Sequence, residues 1–167
     1  MVNQIDTPKT IIAQYVDGPT LLDAAIAGLS ESDLNLALSD DSWSIRQIVH
    51  HIVDGDDIWK TSIKAALGNS DALFSLQWYT AKPQMEWSDD WAYSRSLASS
   101  LALYCANRRH IVDLIEHIPG ACEKSALLQR PGKEDIRITV FDVVELHVQH
   151  LTDHIKDIEA IRHAHNI

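Results

Sequence analysis

Trp43-Ser44-Ile45-Arg46-Gln47-Ile48-Val49-His50-His51-Ile52-Val53-Asp54 is the stretch whose reading decides the fold. Ser44 with Gln47 three residues on is a capping box, in which each side chain satisfies a backbone N–H that the first helical turn leaves open. Trp43 before the cap and Ile48 after it can close a hydrophobic staple. Ile45, Ile48, Val49, Ile52, Trp59 and Ile63 then recur at helical spacing to about Leu67. The stretch therefore predicts a long amphipathic helix carrying two adjacent histidines. At about 100° per residue, His51 lies about 60° from Ile48 and faces inward, while His50 falls on the far side, toward solvent.

Working outward, three more helices follow from the same signals. Thr7 and Pro8 suit the cap and first position of a helix running to about Leu29, with Gly18-Pro19 expected to kink or break it. Ser30 to Asp41 is a polar connection with room for a helical turn. Gly68 to Asp90 shows no clear period and reads as a long loop; its Trp78, Tyr79 and Trp87 are expected to pack over the bundle. A third helix spans about Asp89 to Ile118, with Leu97, Leu101, Tyr104, Cys105, Val112 and Ile115 as its apolar stripe and Pro119-Gly120 as its stop. Leu127-Leu128 and Ile136-Arg137-Ile138 flank Arg130-Pro131-Gly132-Lys133 as a short irregular excursion or small hairpin. The last helix opens with Thr139 as cap and Asp142 in the capping-box position, and runs to about Ala164. Four such helices in 167 residues predict an all-α, single-domain four-helix bundle.

The chain holds nine histidines. His147, His150 and His154 fall within about 60° of one another on the last helix, on the broad face that carries Val140, Val143, Leu151, Ile158 and Ile161. Buried imidazoles are costly unless something pairs with them. His150 and His154, one turn apart, have the spacing that lets two rings grip one ion, and His51 is the inward candidate for a third ligand from a facing helix. His147 could stand beside the ligands or replace His150. The competing reading makes all of these hydrogen-bonded core histidines in a catalytically silent binding protein. Asp54, Asp56, Asp57 and Asp153 are candidate bases or supporting groups, with Asp56 favoured as the catalytic carboxylate because it falls on the inner side of its helix. His110, His117, His163 and His165 read as surface or helix-end residues.

The segment from Trp43 to Asp54, together with Leu146-His147-Val148-Gln149-His150-Leu151-Thr152-Asp153-His154-Ile155, resembles the two histidine motifs of the DinB/YfiT-like proteins. Gly28 to Leu34, GLSESDL, is similar to that family's connection after its first helix. The resemblance spans nearly the whole chain. It implies a four-helix bundle that binds one divalent metal, zinc or nickel foremost, through His51, His150 and His154. It also implies a homodimer and a small-molecule substrate, with activity as a hydrolase or as a transferase of a low-molecular-weight thiol. Such sequences often carry a further histidine where this chain has Gly55-Asp56-Asp57, so the resemblance carries the three-ligand core and not a particular substrate. An ion in that setting is a Lewis acid, able to acidify either water or a thiol.

Charge narrows the partners. A formal net charge of −10 without a Lys/Arg stripe argues against nucleic acid and against an anionic membrane surface. The first ten residues lack the basic and apolar regions of a signal peptide, and no apolar run approaches a membrane span. Cys105 and Cys122 form no CxxC pair and read as unpaired thiols, in keeping with a cytoplasmic location.

Overall fold

Each helix begins where the sequence supplies a cap, with one exception. The computed structural model describes residues 7–69, 71–77 and 94–167. Helix α1 covers Pro8–Ile26 with Thr7 as its cap, and α2 covers Ile45–Gly68 with both halves of the Ser44/Gln47 capping box formed. Helix α3 covers Ala98–His117, and α4 covers Val140–His165, its Thr139/Asp142 capping box also complete. A single 3-10 turn, Asp33–Asn35, interrupts the connection between α1 and α2. Around the bundle the neighbours run α1–α4–α2–α3, so α1 and α2, consecutive in sequence, sit diagonally.

The exception is α3. The helix was expected from about Asp89; residues 89–93 lie outside the described residues, and 94–97 are not helical. The Arg95 carbonyl instead accepts from the Arg46 guanidinium at 3.2 Å and from His50 at 3.1 Å, so side chains of α2 take the oxygen that a helical N–H would otherwise use.

Helix α1 departs from expectation in the other direction. Gly18-Pro19 does not break it: the helix runs through Pro19 and stops at Ile26, just before Gly28 at φ +79°. Proline removes the N–H that would have bonded the Tyr15 carbonyl. Arg108 of α3 replaces it, Nη1 donating to that carbonyl at 2.9 Å. The absence of a side chain at residue 18 makes the approach possible, because a Cβ there would lie 2.0 Å from Arg108 Nη1.

Strands occupy part of the loop after α2 and the segment read as an excursion or small hairpin. Leu73–Ser75 is β1, Ser125–Gln129 is β2 and Ile136–Thr139 is β3. They form a sheet in the order β1-β2-β3, with Leu73 paired to Leu127 in parallel and Ala126 paired to Ile138 antiparallel. The excursion between α3 and α4 is thus a true hairpin, whose loop holds Gly132 at φ +69°, and part of the long loop after α2 adds a third strand to it. Three residues of strand without clear alternation are too few for a period of two to register. Trp78, Tyr79 and Trp87 lie outside the described residues.

The core has two apolar clusters along the bundle. One gathers Ile11, Ile63, Ile111 and Val144 with the sheet residue Ala126; the other gathers Leu22, Ile48, Ile52, Tyr104 and Ile158. Between Val53 and Ile63 on α2, and between Val144 and Leu151 on α4, stand Asp56 and His147, both buried. Arg108, 1% exposed, completes this polar layer from α3. The described residues include no helix long and apolar enough to cross a membrane.

Candidate metal centre

His51 comes from the second turn of α2, and His150 and His154 from successive turns of α4, the helix packed against it. One ligand atom of each lies within 4.8 Å of the others. Ring centroids are 4.8 Å apart for His51 and His150, 4.9 Å for His51 and His154, and 4.6 Å for His150 and His154. His51 Nε2 and His150 Nε2 are 2.9 Å apart, the distance of one N–H donating to the other ring's lone pair.

The donor set suits a divalent ion. A tetrahedral zinc with nitrogens at about 2.0–2.1 Å needs them roughly 3.3 Å apart, a small adjustment of rings that already face one another. Burial favours the neutral form that a ligand needs in two of these rings, His51 and His150. The His51 imidazole is pushed down to about 3 and that of His150 to about 4, chiefly by removal from water and secondarily by the neighbouring imidazoles. His154 Nδ1–H donates to Asp157 Oδ2 at 2.9 Å, which leaves its Nε2 bare for a cation. The Trp43 indole packs over the group, 4.5 Å from His51 and 6.2 Å from His154 by ring centroids. The residue that staples the start of α2 is therefore also a wall of the site.

A cleft of about 330 Å³ adjoins these rings, lined by His51, Gly55, Trp59, His147, His150 and Asp153 among others. Trp59 is held there by Phe74 of β1, at 5.3 Å between centroids, which is how the sheet contributes to the site. Deeper in, His147 Nδ1 is 3.3 Å from Asp56 Oδ1. Arg108 donates to the same oxygen, Nε at 3.3 Å and Nη2 at 3.2 Å, and its guanidinium lies 4.2 Å and 4.4 Å from the Tyr15 and Tyr104 ring centres. The Tyr15 hydroxyl donates to Asp56 Oδ2 at 3.4 Å. Burial pushes the Asp56 carboxyl up while Arg108 pulls it back, and burial holds the His147 imidazole well below its ordinary range.

The other sequence candidates lie elsewhere. Asp54 is 3.8 Å from an Arg95 guanidinium nitrogen. Asp57 pairs with Lys60 and accepts from Asn107 at 2.9 Å, tying α2 to α3. Asp153, at the cleft rim, pairs with Lys156. His110, His117, His163 and His165 are exposed.

His50 requires correction. Expected in solvent, it is fully buried. Its Nε2–H donates to the Arg95 carbonyl, which leaves Nδ1 to accept from the Ser100 hydroxyl at 2.9 Å. Helix α2 is covered on two sides, by α4 and by α3, so a wheel centred on Ile48 mistakes the second buried face for solvent. Arg108 and Asp157 were also missed. The signal for Arg108 was the helix-interior Gly18-Pro19, which leaves an orphan carbonyl; that for Asp157 was its position three residues beyond His154.

A sequence model of the DinB superfamily matches residues 14–158. The chain belongs to the DinB superfamily. Among solved structures, this DinB chain is similar to YfiT from Bacillus subtilis, described as a probable metal-dependent hydrolase with an unusual four-helix bundle topology. The likeness covers 99% of this chain and 93% of that one, at a TM-score of 0.79 and 21% identity, and it speaks to the fold. Among curated proteins, a Geobacillus thermodenitrificans protein named provisionally as a metal-dependent hydrolase is 41% identical over 46 residues. That match spans 28% of this chain and 26% of the relative.

Proposed function

We propose that this DinB protein is a metal-dependent hydrolase acting on a small molecule, with a divalent ion held by His51, His150 and His154. One observation carries the reading: three imidazole nitrogens from two packed helices converge within 4.8 Å at the wall of a cleft. Names given to similar proteins support the reaction class. All-nitrogen ligation suits zinc, nickel, copper or iron, and zinc and nickel are the first to be tried. When bound, the ion supplies Lewis acidity to a group in the cleft. The chain's own contribution is placement: Trp43 shields the ligand rings, Asp157 orients His154, and Asp56 acts through His147, the ring it touches.

The same ligand set can acidify a thiol, so a low-molecular-weight thiol is the second substrate class to screen. Neither Cys105 nor Cys122 lines the cleft, so such a thiol has to come from solution. We also propose a homodimer, to be checked by sedimentation.

Elemental analysis of protein purified without a histidine tag, remetallated and desalted, tests the centre. About one ion per chain is expected, and essentially none for the His51→Ala/His150→Ala/His154→Ala variant. Equal metal in both preparations would assign the ligands elsewhere and revive the silent core-histidine alternative.

A further inference from the structure

His147 stands apart from the three ligands. It lines the cleft with His51 and His150, its ring centroid 6.0 Å from that of His150, yet it is not among the nitrogens that converge. Its Nδ1 edge is taken by Asp56 at 3.3 Å. Its Nε2 is buried and has no hydrogen-bond partner. A buried polar atom without a partner costs about 1–3 kcal/mol and calls for an explanation.

The polar layer behind the ring supplies one. A neutral imidazole carries a single N–H. With a carboxylate oxygen against Nδ1, and Arg108 donating to that same oxygen, the hydrogen belongs on Nδ1. Nε2 is then an obligatory acceptor. Arg108 is itself fixed by the carbonyls of Tyr15 and His147, at 2.9 Å and 3.3 Å, so four residues from α1, α2, α3 and α4 set the orientation of one lone pair.

We propose that His147 Nε2 is the hydrogen-bond acceptor for a donor group of the cleft's ligand, and that Asp56 is a positioning residue which fixes the tautomer. The substrate class this selects carries an N–H or O–H next to the atom that meets the metal, as an amide or a hydroxamate does and an ester does not. This specificity role rests on the three-histidine reading above; the tautomer itself does not.

The test has two arms. In metal-free, nitrogen-15-labelled full chain, long-range proton–nitrogen spectra report which ring nitrogen of His147 bears hydrogen, with assignment by loss of its signals in His147→Phe. Hydrogen on Nδ1 is expected, and it should persist in Asp56→Asn, whose carbonyl can still face Nδ1. Hydrogen on Nε2 in the wild type overturns the proposal. In zinc-loaded protein, calorimetry compares acetohydroxamate with N-methylacetohydroxamate, which lacks the N–H. Wild type should prefer the first by about tenfold, the worth of one hydrogen bond, and His147→Phe should lose the preference while keeping one zinc per chain. Equal preference in both proteins, or loss of zinc in the variant, overturns the acceptor role. A wild type that binds no zinc removes the metal reading instead, while the tautomer result stands by itself.

Discussion

The most informative single residue is His50, because it was read wrongly for a definable reason. Two histidines adjacent on a helix point about 100° apart, and both directions from α2 are interior. His51 meets α4 and the ligand cluster; His50 meets α3 and pins Arg95 and Ser100. Burial holds the His50 imidazole down at about 4, with His150 at about 4 and His51 at about 3. The unfolded chain titrates these rings near 6.5. Between about 6.5 and 4 the unfolded state therefore binds more protons, and metal-free protein should be most stable above 6.5 and lose stability as pH falls through that window. Urea unfolding at pH 7.5, 5.5 and 4.5 checks this, and His50→Gln should flatten the slope. Carboxylates contribute little there, their unfolded values lying near 3.9–4.3. At Arg108, Arg108→Met strands the buried Asp56 carboxylate and should cost about 3–5 kcal/mol. Pairing it with Asp56→Leu should recover much of that loss, as measured by the same titrations.

At the scale of elements, the helices were legible because their starts are chemical. Thr7, Ser44 and Thr139 each accept from the backbone N–H three residues on, and a short polar side chain before a periodic apolar run is visible in any sequence. Ser44→Ala should cost about 1 kcal/mol by denaturant unfolding. It should also weaken metal binding, because the cap seats Trp43 against His51 and His154; unchanged metal affinity would separate the cap from the site. What stayed hidden depends on partners far away in sequence. Strand β1 exists only because β2 runs beside it more than fifty residues later. The start of α3 is set by Arg46 and His50, not by a residue of its own. The four inward histidines of α2 and α4, His51, His147, His150 and His154, come together as expected because helical period alone fixes their direction. The pairing of Asp56 with Arg108 was not legible, since it joins residues on two helices that are far apart in sequence.

For the molecule as a whole, the two apolar clusters are joined across a layer that is polar on every helix. Hydrophobic burial stabilises each cluster, but the layer gains only what its hydrogen bonds and ion pair return against desolvation. The proposed divalent ion, bridging α2 and α4 beside that layer, would bind the folded chain and not the dispersed ligands of the unfolded one. The melting temperature should therefore rise with free metal concentration, by about 2.7 kcal/mol of stability at one hundred times the dissociation constant. Scans with zinc and with chelator measure it; coincident curves after verified metal removal would mean that the ion does not bridge the helices.

The contact between residue 18 and Arg108 also constrains the paths by which this chain can change. Gly18→Ala in the present background forces a methyl to within 2.0 Å of a guanidinium nitrogen. In a background that has already exchanged Arg108 for a shorter side chain, the same substitution meets only Leu151 Cδ2, at 3.0 Å; with a shift of that side chain it removes a helix-interior glycine, a gain of up to about 1 kcal/mol. Substitution in one order crosses a valley, and in the other it crosses first the loss of the ion pair. Relatives with a side chain at this place in their first helix should accordingly lack the third-helix arginine, a covariation that an alignment of the superfamily can count.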